Sequence, residues 1–188
     1  MATVNKVILV YAHGGTNPDD PGAVNSKIAV KERDFIKKFI DMFLIPAVKE
    51  AGLKYTTVQQ KPNWYSIDKQ VEAVYERHDI AISCHLNASD NPKSTGTETL
   101  HALGSKNGEK LATLVQAKLV KATGLKDRGL KAITREDRGG RLVAGTKPPC
   151  ILTELFFLSN EKDYETCLAK QKEMAKAIVD GILEFKAQ

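Results

Sequence analysis

Three short apolar runs set the limits on what this chain can fold into. Residues 7–10 in "KVILVYAHGG", 80–84 in "DIAISCHLNAS" and the "CILTELFF" run from Cys150 each read as a strand buried on both faces. Strands of that kind belong to a parallel or mixed sheet covered by helices. Each run also brings a polar residue near its carboxyl end: His13, His85 and Glu154. In open α/β sheets the crevice beyond the carboxyl ends of the strands is where ligands bind. Gly14 and Gly15 would let the backbone turn sharply after His13. On its own, a lone histidine there reads first as a turn residue hydrogen-bonded to its neighbours, since single histidines are seldom ligands.

The segments between the runs supply the covering layers. "TNPDDPGAVNSK" (16–27) is rich in Asn, Asp, Pro and Gly and reads as a loop. A long helix is predicted next, because Ile28, Phe35, Ile36, Phe39, Ile40, Phe43, Leu44, Ala47 and Val48 recur at helical spacing; Pro46 kinks or splits it and Gly52 closes it. "KYTTVQQ" (54–60) reads as a strand, and Ser66 as the N-cap of a helix carrying Ile67, Val71, Val74 and Tyr75. "GTETLHA" reads as a further strand and residues 107–123 as a helix ended by Gly124. Residues 127–149 read as a charged, glycine-rich loop, and the chain finishes in one capped C-terminal helix. The fold class expected is α/β: a single domain over 1–188, with a mixed, mostly parallel twisted sheet and helices on both faces.

Composition removes several function classes. At 188 residues and 42% hydrophobic content the chain suits one domain with a full core. Cys84, Cys150 and Cys167 form no CxxC pair and are odd in number, so neither a disulfide framework nor a thiolate zinc site is indicated. The N-terminal apolar run is too short for a signal-peptide core, and no stretch approaches membrane-spanning length, so synthesis in a cytoplasm without membrane insertion is expected. A formal charge of +5 favours anionic polymers, among them nucleic acids, anionic lipids and cell-wall polymers. The lysines are dispersed and no nucleic-acid-binding motif is present, so nucleic acid is not the expected partner.

Glu32 is the informative residue of the first helix. It falls on the apolar stripe, four residues after Ile28 and four before Ile36, whereas Asp41 and Glu50 fall on the polar side. A carboxylate on the buried side needs a partner, and an arginine or a metal ion would serve. If the three buried strands are parallel neighbours, His13, His85, Glu32 and Glu154 meet in one crevice. Two histidines and one carboxylate are the protein ligands of a common kind of catalytic zinc site, and a second, unbound carboxylate can move protons.

The motifs "AHGG" with "DPGA" after it, "KERDF", "SCHLNAS", "GTETL" and "LTELFFLSN" occur in that order. In order and approximate spacing the chain resembles the zinc-dependent N-acetylmuramoyl-L-alanine amidases, amidase type 3, from residue 6 to about 185. The resemblance implies that His13, Glu32 and His85 hold one zinc ion and that Glu154 is the catalytic acid/base. It implies cleavage of the amide between N-acetylmuramic acid and the L-alanine of the peptidoglycan stem peptide. Asn87, predicted to pin the loop after His85, and His101, Arg135 and Arg141 are the residues expected to meet substrate; Arg128 and Arg138 lie near the same loop.

Three departures from the family pattern stand out: a long nineteen-residue gap from His13 to Glu32, Phe156 in place of a usual glycine, and Cys84 in place of a common aliphatic residue. The resemblance also implies a phage or prophage endolysin, kept in the bacterial cytoplasm until a holin opens the membrane. Its partners would be peptidoglycan and, through the basic surface, anionic wall polymers, with no wall-binding domain in this chain. A zinc carboxypeptidase-like peptidase and a non-catalytic wall-binding module are the rival readings.

Overall fold

The computed structural model describes residues 3–13, 20–59 and 66–188. Gly14 and Gly15, Gln60 and part of the 16–27 loop lie outside the described residues. The predicted buried runs become β1 (Val7–Tyr11), β5 (Ile80–Asn87) and β8 (Cys150–Phe157) of a six-stranded sheet. β4 (Tyr55–Gln59), β6 (Thr97–Ala102) and β7 (Asp127–Ile133) complete it, in the order β4-β1-β5-β8-β6-β7. The first four strands of that order are mutually parallel, β6 is antiparallel to β8, and β7 is parallel to β6. The sheet is therefore mixed and mostly parallel.

Helices cover both faces, and side-chain alternation along each strand decides which residue meets which layer. Val7, Leu9, Ile82 and Cys84 join one buried cluster with residues of α1 (Glu32–Phe39), α4 (Lys106–Thr123) and α7 (Gln171–Ala187). Ile8, Val10 and Ala81 join a second with Val71 of α3 (Ile67–Val74) and Leu142 and Val143 of α5 (Gly140–Val143). Cys84, Cys150 and Cys167 are free thiols buried within these layers. No helix among the described residues is long and apolar enough to cross a membrane.

Three local expectations are corrected, and the split expected at Pro46 is observed. The first helix starts at Glu32, not near Ile28: a two-stranded hairpin, β2 (Val24–Asn25) with β3 (Val30–Lys31), precedes it, and Ile28 packs against the core from outside any helix. Ahead of Pro46 the helix widens into a π-helical turn, Ile40–Leu44, in which the Ile45 N–H bonds to the Ile40 carbonyl. Proline cannot continue the regular ladder, but it is tolerated in the first turn of α2 (Ile45–Glu50). The segment read as a loop from 127 to 149 contains β7 and α5. β7 is an edge strand with exposed charged residues, so it shows no buried alternation. The C-terminal helix is two helices, α6 (Glu161–Ala169) and α7, broken at Lys170, with the Asn160 side chain capping α6. Ser66 does occupy the N-cap position of α3, but its side chain makes no capping bond.

The α4–α7 packing depends on Gly181. A Cβ there would stand 2.8 Å from Val115 Cγ2 and 2.9 Å from Val115 Cα, so the helix backbones touch almost directly. Alanine normally stabilises a helix interior by about 1 kcal/mol over glycine. Forcing the two helices apart outweighs that gain, so Gly181→Ala is predicted to destabilise the fold by about 1–3 kcal/mol in urea unfolding. A stabilised variant would contradict this packing.

Candidate metal centre

His13 lies two residues beyond β1, with its backbone in the left-handed region, φ 53°. Such a conformation is uncommon outside glycine and marks a chain held by its surroundings. His85 lies near the carboxyl end of β5, the strand beside β1. Glu32 opens α1 and is 1% exposed. Its Oε1 stands 3.0 Å from His85 Nδ1, and its Oε2 stands 3.1 Å from His13 Nε2. The Leu86 N–H donates to Oε1 at 2.9 Å and the Ala23 N–H to Oε2 at 2.7 Å. The arginine that could have partnered this carboxylate is therefore not its partner; two imidazoles and two backbone amides are.

Electrostatics follow from that enclosure. Burial acts to raise the Glu32 pKa, but hydrogen bonds and attraction from His13 and His85 outweigh it and hold the carboxyl well below the usual range. Burial likewise acts to lower the His13 pKa. Glu32, and then Asp20, outweigh it and hold the imidazole above its ordinary value.

Potential ligand atoms of His13, Glu32 and His85 all lie within 4.8 Å of one another, and the two rings meet edge to face at 5.2 Å. His13 Nε2 is buried with no hydrogen-bond partner among the described residues. Two neutral nitrogens and one anionic oxygen, converging with one of them unpartnered, fit a divalent cation of zinc's preferences.

Glu154 sits within β8, in register with His85, rather than beyond the strand's end. Its Oε2 is buried without a hydrogen-bond partner among the described residues. Burial, reinforced by the nearby Glu32 and Glu98 carboxylates and opposed by His85 and Arg138, pushes its pKa up to about 7. It is thus a carboxyl that can both hold and release a proton near neutrality.

Two clefts meet at His13 and His85. One is lined by Asp20, Arg135, Arg141 and Leu152. The other, of about 770 Å³, is lined by Asn87, Glu98, Leu130, Arg138 and Glu154. The Asn87 Nδ2 group donates to Glu98 Oε1 at 2.7 Å, while its own Oδ1 accepts from the Ala88 N–H, so Asn87 does tie down the chain after His85. Arg128 pairs with Glu98 at 3.0 Å and lies over the Phe157 ring. Arg135 pairs with Asp68 at 2.8 Å and still lines the first cleft.

The expectation for His101 is corrected: it is 5% exposed, opposite Ile151 in β8, and three residues along from the Glu98–Glu154 pairing. Strand alternation puts it on the face of Thr99, whose hydroxyl bonds to Gln116 of α4, and away from Glu98. Asp20 and Glu98 were not singled out from sequence. Asp20 was visible only as the first residue of "DPGA", and Glu98 only as a polar residue inside a predicted strand.

The sequence profile described as "N-acetylmuramoyl-L-alanine amidase" matches residues 7–184. The chain belongs to that family of peptidoglycan hydrolases. Among its relatives is the N-acetylmuramoyl-L-alanine amidase LytC of Bacillus subtilis, 26% identical over 183 residues, which cover 94% of this chain and 35% of LytC. The chain thus spans about a third of that relative's length. The germination-specific N-acetylmuramoyl-L-alanine amidase of the same organism is 25% identical, with 94% of this chain and 79% of the relative covered. The crystal structure of N-acetylmuramoyl-L-alanine amidase from Clostridium difficile 630 superposes with a TM-score of 0.82 at 22% identity, covering 98% of both chains.

Two predictions follow from these environments. Because metal must displace the proton that Glu32 and Asp20 favour on His13, zinc affinity should fall as pH drops below the raised His13 pKa. Titration calorimetry in buffers of different ionisation enthalpy should show proton release at low pH, and pH-independent binding would contradict the raised His13 pKa. For Glu154, a folded pKa near 7 against 4.5 unfolded means ionisation is disfavoured in the fold. Stability of the metal-free protein is then present below about pH 4.5 and lost as pH rises through about 7, on the order of 3 kcal/mol. Glu154→Gln should remove that part of the pH slope in thermal melts, and an unchanged slope would refute the raised pKa.

Proposed function

We propose that the chain is a zinc-dependent catalytic domain that hydrolyses the amide between N-acetylmuramic acid and L-alanine in peptidoglycan. The observation that carries this reading is the convergence of His13, Glu32 and His85 with Glu154 in register beside them. His13, Glu32 and His85 would hold one zinc ion. When bound, zinc would supply Lewis acidity toward the scissile carbonyl and lower the pKa of water from 15.7 toward about 7.

The rest of the chemistry is the chain's own. Glu154 takes the proton released by the attacking water and delivers it to the departing alanine nitrogen. Without that delivery the leaving group would be an amine anion, so both transfers belong to one carboxyl poised near neutrality. Glu98 anchors Asn87 on one side and Arg128 on the other, which keeps the wall of the larger cleft in place. Arg135 and Arg141 on the other cleft are proposed to meet stem-peptide carboxylates. The overall charge of +5 is proposed to hold the protein on anionic wall polymers. Release from the cytoplasm by a holin, as for an endolysin, rests on the sequence resemblance alone.

Digestion of purified peptidoglycan should release stem peptides with a free N-terminal alanine and leave glycan strands intact by mass spectrometry. New reducing sugar ends would mean a glycosidase, cuts inside the stem peptide a peptidase, and zinc binding without product a binding module. Glu154→Gln should keep zinc while turnover falls about 10²–10⁴-fold, the usual worth of a general acid/base. Glu32→Gln should weaken zinc binding itself. The opposite pattern, zinc lost in the Glu154 variant and retained in the Glu32 variant, would reverse the roles.

A further inference from the structure

We propose that Asp20 is a positioning residue for His13: it fixes the ring proton on Nδ1 and so presents Nε2 as a bare donor atom beside Glu32. This inference rests on the metal reading of the site. Asp20 Oδ1 stands 2.9 Å from His13 Nδ1, and a carboxylate can only accept, so Nδ1 is the donor. The same oxygen accepts the Gly22 N–H at 3.2 Å. On the far side of the ring, Nε2 has no hydrogen-bond partner among the described residues, although Glu32 Oε2 is 3.1 Å away.

The need for such a residue comes from Glu32 itself. In a neutral imidazole the proton can sit on either nitrogen. A buried carboxylate at 3.1 Å favours the tautomer with the proton on Nε2, because that form makes a charge-assisted hydrogen bond. That tautomer turns the ligand atom into a donor and closes the site. Asp20 opposes it by offering an equally close acceptor to Nδ1. An outer carboxylate that orients a ligating histidine in this way typically changes metal affinity by about 10–100-fold when removed.

The segment that carries Asp20 also holds Glu32, so both ligands are set by four consecutive residues. The Pro21 carbonyl accepts the Arg33 N–H at 3.1 Å, and the Ala23 carbonyl accepts the Glu32 N–H at 2.8 Å. The Ala23 N–H in turn donates to Glu32 Oε2. Gly22, at φ +69°, lies flat against the pair: a Cβ there would stand 2.4 Å from His13 Cδ2 and 2.6 Å from Glu32 Oε2. The turn is therefore shaped to press Asp20 onto His13 while leaving the ligand atoms clear.

The test uses the metal-free protein first. At a pH where His13 is neutral, long-range ¹H–¹⁵N correlation should show its proton on Nδ1 in the wild type. The proton should move to Nε2 in Asp20→Ala and return in part to Nδ1 in Asp20→Asn, whose side-chain oxygen still accepts but carries no charge. Zinc dissociation constants, from competition with a chromogenic chelator, should rise about 10–100-fold for Asp20→Ala, with part of the loss recovered in Asp20→Asn.

A wild-type His13 already protonated on Nε2, or an Asp20→Ala variant with unchanged tautomer and affinity, would overturn the proposal. Equal zinc loss in both variants, accompanied by equal drops in thermal midpoint, would also overturn it, since only a structural role predicts that. If the wild type binds no zinc while the tautomer pattern holds, the metal reading fails and the assignment of Asp20 survives.

Discussion

The Glu32 carboxylate, almost fully buried between two imidazoles, is the interaction on which the rest of the site depends. An ionised carboxylate in that position carries a desolvation cost of several kcal/mol unless it is partnered. Here four groups meet it: the amides of Leu86 and Ala23 and the rings of His13 and His85. It is also the first residue of α1, where the exposed N–H groups of the helix favour negative charge. Two of these partners come from β5, one from the chain just beyond β1 and one from the turn before α1, so the carboxylate is satisfied only when those segments and α1 are all in place.

The fold supplies that coincidence through strand order. Parallel pairing of β1 with β5 and of β5 with β8 sets His13, just beyond β1, beside His85 of β5, and His85 in register with Glu154 inside β8. Parallel strands buried on both faces leave little freedom of register. A one-residue slip of β8 would move Glu154 off the site face and into the packed layer. The same arrangement separates the two carboxylates in function. Glu32 is surrounded by donors and stays ionised, while burial, reinforced by the Glu32 and Glu98 carboxylates, lets Glu154 keep its proton to near neutrality.

Much of this was legible in the sequence because it rests on patterns with short periods. The buried strands declared themselves as continuous apolar runs, and Glu32 as a charged residue on an apolar stripe. What escaped did so for physical reasons. β7 is an edge strand with charged residues facing water, so nothing in its composition separates it from a loop. The hairpin before α1 is only two residues per strand, below any periodic signal. His101 was misplaced because strand alternation sends it to the α4 face, which depends on a register that sequence does not display. Asp20 and Glu98 act through hydrogen bonds to residues 7 and 11 positions away, and such pairings become visible only once the turns are built.

The central claim is that these three side chains form one cation site. It is tested most directly by collecting anomalous diffraction at the zinc absorption edge from crystals grown with one equivalent of zinc. A single strong peak is expected within bonding distance of His13 Nε2, a Glu32 carboxylate oxygen and a His85 ring nitrogen, with Glu154 beside it and not bound to it. A peak held by other residues, or none at this cluster while the protein remains active on peptidoglycan, would contradict it.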